Sequence, residues 1–145
     1  MKDIIIDTLK DVYNGNPWHG PSIINVLSNL PEDKLHAKIG SGHSILELIL
    51  HMAAWRTFVI KKLAGDDKYD VDDATNFPGG TSLKDAIHQL DKSQVELINA
   101  ITHFDPQKLH EAVPLKKYSY YKMLSGITHH DLYHLGQIVM ITRQF

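Results

Sequence analysis

Residues 129–138 read HHDLYHLGQI and place three histidines within six positions of a largely apolar stretch. Burying an imidazole without a partner costs free energy, because the core does not replace the hydrogen bonds that water gave it. His130 and His134 are four residues apart, so on a helix their rings project from adjacent turns of one face. Two imidazoles at that spacing can reach one ion at about 2 Å each, as in the H-E-x-x-H helices of zinc enzymes. His129 lies about 100° round the same helix and faces elsewhere. The pair alone also fits a structural role, with both rings satisfied inside the core.

A third ligand decides between these readings, and His51 in ELILHMAAWR is the best candidate. It sits one turn from both Leu48 and Trp55, at the border of an apolar stripe. Helical bundles build metal sites from facing helices, so a pair from one and a single histidine from another is a natural set. Three imidazoles leave other positions on the ion open to water or substrate. His43 is the next candidate, although its place at a helix start also suits a cap or loop residue. His19, His36, His88, His103 and His110 fall in loops or on polar faces and read as surface residues.

Several neighbours carry double readings. Glu47, one turn before His51, could orient that ring or act as a general base. It also completes an S-x-x-E capping box with Ser44, which explains it without chemistry. Asp131 either contacts a ligand's distal nitrogen or faces solvent. Gln137, one turn beyond His134, places an amide near the open metal positions or bonds across the bundle. Gly136 costs a helix about 1 kcal/mol against alanine, and close approach of another helix is the reason it suggests. Trp55 and Trp18 read as core or pocket wall, while Tyr133 and Tyr118 could offer a phenol.

Four helical stretches would position these residues. The first runs from Lys2 to Leu30, broken at NGNPWHGP by glycines and prolines. Residues 31–42 connect it, with room for one helical turn, to the second stretch, 43–67. There Ile45, Leu48, Met52, Trp55, Val59 and Leu63 step by three or four, the helical period. A polar loop over 66–80 leads to the third, 81–104, striped by Leu83, Ile87, Leu90, Leu97 and Ile101 and limited by Pro106. The fourth, 118–145, carries Met123, Ile127, His130, His134, Ile138 and Ile141 on one line. Strand signals are thin, and the expected fold is an all-α four-helix bundle in a single domain, residues 1–145.

Composition removes other classes. A 145-residue chain with 43% hydrophobic and 22% charged residues can bury its own core. The formal charge is −2 and the longest basic runs are the pairs Lys61-Lys62 and Lys116-Lys117, so no footprint for nucleic acid exists. With no cysteine, any thiol chemistry must take its sulfur from a small molecule. No signal-peptide core or membrane-length apolar run is present, which makes a cytoplasmic location the expectation.

GHSILELILHMAAWR, followed about eighty residues later by HHDLYHLGQI, resembles the DinB-like superfamily, also called the YfiT-like metal-dependent hydrolases. WHGPSIINVLSNL is similar to the family's first-helix region. The resemblance implies a four-helix bundle with an unusual connection, often a homodimer, holding a divalent metal on His51, His130 and His134. The family's H-x-x-x-H-x-G-Q element falls on His130, His134, Gly136 and Gln137. Family members with known activity include thiol-dependent transferases and isomerases that use bacillithiol, mycothiol or glutathione. The expectation is therefore a metal-dependent enzyme, either a hydrolase or a low-molecular-weight-thiol S-transferase, acting on a small molecule. Its catalytic residues are unassigned beyond Glu47, Asp131 and Gln137. Zinc, nickel and iron all suit imidazole ligands. A non-catalytic metal-binding or structural bundle is the alternative, and an apolar-ligand or protein-interaction module the third reading.

Overall fold

Three of the four long helices begin on a serine whose hydroxyl accepts the backbone N–H three residues on: Ser44 from Glu47, Ser82 from Asp85 and Ser119 from Lys122. Each such cap satisfies an orphan donor and is worth about 1 kcal/mol. The computed structural model describes residues 1–80 and 82–145. Its helices are α1 (Lys2–Asn14), α2 (Ile23–Ser28), α3 (Ile45–Leu63), α4 (Asp73–Asn76), α5 (Leu83–His103) and α6 (Tyr120–Gln144). Two 3₁₀ turns, Glu32–Lys34 and Pro106–His110, punctuate the connections. Among the described residues there is no strand, only an isolated antiparallel bridge between Ala112 and Ser119.

The all-α bundle expected from the periodicity is present, formed by α1, α3, α5 and α6. The first stretch breaks after Asn14, and the connection over 31–42 carries its single turn at Glu32–Lys34. The expected start of the third helix at Thr81 lies outside the described residues. Sequence periodicity gave no hint of α4. No helix among the described residues is long and apolar enough to cross a membrane.

α3 packs mainly on α5 and α6, and α1 packs on the same two helices. Of the consecutive long helices only α3 and α5 pack closely on one another; α1 with α3 and α5 with α6 are not principal partners, so the connections between those two pairs cross the bundle. This arrangement is what brings α3 against α6. The core falls into two apolar clusters, one containing Ile49, Met52, Leu90 and Ile138, the other Leu9, Phe58, Leu97 and Leu124. Between them runs a buried polar layer: His51 and Arg56 from α3, Ser93 and Gln94 from α5, Thr128, Asp131 and His134 from α6.

Candidate metal centre

In that layer His51 on α3 meets His130 and His134 on α6. The Nε2 atoms of His51 and His130 are 3.1 Å apart, and those of His130 and His134 are 3.2 Å apart. All three ligand atoms lie within 4.8 Å of one another. Nitrogens at about 2.0–2.1 Å from a tetrahedral ion would be about 3.3 Å apart, so the spacing suits one cation.

The opposite edges of the rings explain why the Nε2 atoms face inward as acceptors. His51 Nδ1 lies 2.5 Å from the backbone oxygen of Asn76, and His134 Nδ1 lies 2.6 Å from Gln137 Oε1. An oxygen there requires the proton on Nδ1, which leaves a lone pair on Nε2. Two such rings aimed at a third nitrogen have few protons to share, an arrangement that a cation relieves. Burial pushes the His51 pKa down to about 4 and also lowers that of His134. Both rings are therefore neutral at pH 7, the form that binds metal.

A short segment after α3 completes the setting. The Phe77 ring stacks on His51 at 4.0 Å, and His43 stacks on Phe77 at 3.4 Å. Trp55 Nε1 donates to Asn76 Oδ1 at 2.9 Å. Asp72 and Thr75 cap the single turn of α4 reciprocally, and Gly80 lets the chain lie on α3, where a Cβ would come within 2.4 Å of Leu50 Cδ1. This segment holds the His51 tautomer, and sequence reasoning missed it. The D-x-x-T cap was legible; the meeting of Asn76 with His51 was not.

The sequence profile of the DinB superfamily matches residues 21–138, a span that includes all three histidines and the Asn76–Phe77 segment. The chain belongs to the DinB superfamily. No curated protein and no solved structure matches it significantly.

In this DinB-superfamily chain the other predicted site residues divide sharply. His43 stays on the far face of Phe77 and does not join the convergent group. Glu47 completes the capping box, accepting from the Ser44 backbone N–H at 2.7 Å, and that bond chiefly lowers its pKa. Its other partners are Lys38 and His43, so it serves the helix end and is a poor base at neutral pH. Asp131 does not face solvent: it is fully buried, and its Oδ2 accepts from Arg56 Nε at 3.0 Å and Nη2 at 2.6 Å. Nor does it contact His134. Its free Oδ1 lies 3.9 Å from His130 Nδ1, and these two atoms are the buried side-chain polar atoms without a partner among the described residues. Closing by about 1 Å would join them in an N–H···O bond. The Gln137 amide bonds the back of His134 instead of spanning the bundle.

Two cavities reach the triad from different sides. One, of about 220 Å³, ends on His130 and is walled by Trp55, Phe58, Tyr118 and Ile127. The other, of about 630 Å³, ends on His134 and is bordered by His43, Phe77, Tyr133 and Gln137. Gly136 lines the second, and a Cβ there would meet nothing within 4 Å. The expected close approach of another helix is absent, and the glycine keeps the cleft open. Trp55 is a pocket wall as expected, whereas Trp18 is fully exposed, forms no part of the core, and borders a separate surface cavity beside Pro17 and His19. His129 and the five histidines read as surface residues are exposed.

Proposed function

We propose that this DinB-superfamily chain is a metal-dependent enzyme that acts on a small molecule, with His51, His130 and His134 holding one divalent ion. The observation that carries this reading is the convergence of three Nε2 atoms from two helices, with the Nδ1 atoms of His51 and His134 already committed to oxygens. A bound divalent ion would supply Lewis acidity, lowering the pKa of a water or low-molecular-weight thiol so that the nucleophile forms at neutral pH. The chain's own residues fix the imidazole tautomers, and Phe77 covers one face of His51 against water. No Asp or Glu joins the convergent group among the described residues, so acidifying a nucleophile is the chemistry that the site itself can offer. This suits hydrolysis and also transfer of bacillithiol or glutathione onto an electrophile. The same lack of a protein base favours, as a second reading, a non-catalytic metal site that ties α3 to α6.

The first test is metal content and thermal unfolding of the wild type and His134→Ala, with and without chelator. The wild type should hold about one divalent ion. At a free-metal concentration about a hundredfold above Kd it should gain about 2.7 kcal/mol, and His134→Ala should lose this gain. A wild type that binds no metal would leave only a module that treats the histidines as packing. If metal is bound, incubation with bacillithiol or glutathione and monochlorobimane separates enzyme from structural site: metal-dependent conjugation supports thiol transfer, and its absence removes that version.

A further inference from the structure

Helix α6 carries two glycines, and neither serves helix packing. A Cβ at Gly126 or at Gly136 would meet nothing within 4 Å. Gly126 lines the smaller cavity, which ends on His130, and Gly136 lines the larger one, which ends on His134. Each glycine costs the helix about 1 kcal/mol against alanine, yet neither admits a neighbouring element. What each preserves is open volume beside one histidine of the triad.

The two volumes differ in kind. The larger mixes apolar residues such as Leu48 and Phe77 with polar groups, including His43 and Gln137. The smaller is walled chiefly by Trp55, Phe58, Val59, Met123 and Ile127, with Tyr118 and Lys122 also on its border, Gly126 as a gap in the α6 side and His130 in its lining. Trp55 is itself fixed by its bond to Asn76, and Phe58 and Val59 are buried in the core, so the walls are held from behind. At about 220 Å³ the slot exceeds an apolar cavity of about 150 Å³ known to hold benzene. It is smaller than the sites of about 300–1,000 Å³ that take drug-sized ligands. We propose that this slot binds a compact apolar group of the substrate, a single aromatic ring or a branched alkyl group of that size, and that Gly126 sets the size limit. This assignment rests on the proposed metal-dependent function for its catalytic meaning, since it places the apolar group against His130, but the slot's binding capacity is a property of the metal-free chain as well.

The test uses the full chain and 4-fluorotoluene, followed by fluorine NMR, in chelator and again with zinc. Saturable binding by the wild type is expected in both. Gly126→Leu fills the slot and should weaken binding by about tenfold or more through loss of buried apolar contact, with circular dichroism and zinc stoichiometry unchanged. Gly126→Ala, the gentler variant, should weaken it by less. Gly136→Leu, on the opposite cavity, should leave probe binding as in the wild type. Failure of the wild type to bind, retention of full affinity by Gly126→Leu, or equal loss in Gly136→Leu would overturn the assignment. Binding in chelator is read separately from zinc stoichiometry, so a chain that takes the probe but no metal would sink the enzyme reading and spare the slot.

Discussion

The polar layer of this bundle contains two clusters that share helices α3 and α6, and they are completed in opposite ways. Around Arg56 the charges balance: its guanidinium donates to Asp131 and Gln94, Gln94 donates to the Leu9 carbonyl, and the Tyr13 ring lies 5.0 Å beneath the guanidinium carbon. The Tyr13 hydroxyl in turn donates to Asp91. Beside it on α3 and α6, the histidine cluster gathers acceptors and supplies no cation. A closed network is a structural device, because removing either Arg56 or Asp131 strands a buried charge. An incomplete one made of neutral ligands is a receptor. The clusters touch at one place, the unpaired atoms Asp131 Oδ1 and His130 Nδ1, where the structural carboxylate can orient a ligand.

The sharpest way to break this contrast is to remove one apolar-sized piece from each side in the absence of metal. Asp131→Leu leaves Arg56 buried without its counter-charge and should cost about 3–5 kcal/mol by urea unfolding in chelator. His51→Leu removes a neutral ring and should stay within about 1 kcal/mol. Equal losses would abolish the distinction.

Next in size is a pH effect confined to the histidine cluster. An unfolded histidine titrates near its ordinary value of 6.5, whereas folded His51 titrates at about 4. Between these values the unfolded chain binds a proton that the folded chain rejects. Stability of the metal-free protein is therefore complete above pH 6.5 and falls as pH drops toward 4, by roughly 3 kcal/mol. Unfolding at pH 7.5 and 5.0 checks this, and His51→Leu should flatten the slope.

Gln137→Ala deletes the acceptor behind His134. It should weaken zinc binding by about tenfold in competition with a chromophoric chelator, and hardly change metal-free stability, since Gln137 is exposed. The smallest effect belongs to Glu47→Ala. Loss of the capping box should cost about 1 kcal/mol with zinc affinity intact, and an unchanged stability with abolished turnover would restore Glu47 as the base.

The fold was largely legible because helical periodicity is local. Ile45, Leu48, Met52 and Val59 announce α3, and Ser44, Ser82 and Ser119 mark the starts of three long helices. Most misreadings concern residues whose surroundings come from elsewhere in the chain. Asp131 was readable as a surface acid because nothing near it in sequence is its partner, and Arg56 lies 75 residues away. Gly136 suggested a tight helix contact because a missing side chain can mean crowding or emptiness, and sequence does not separate the two.

What the sequence determined by itself is that His130 and His134 share one helix face and that His51 borders the apolar stripe of another, since about 3.6 residues per turn fixes both. The tertiary structure decided the rest. It placed α3 against α6, brought Asn76 to His51 so that Nε2 faces inward, buried Asp131 on Arg56, and opened a separate cavity on each side of the triad. These depend on contacts between distant segments, where packing and desolvation choose the partner and spacing along the chain carries no record of the choice.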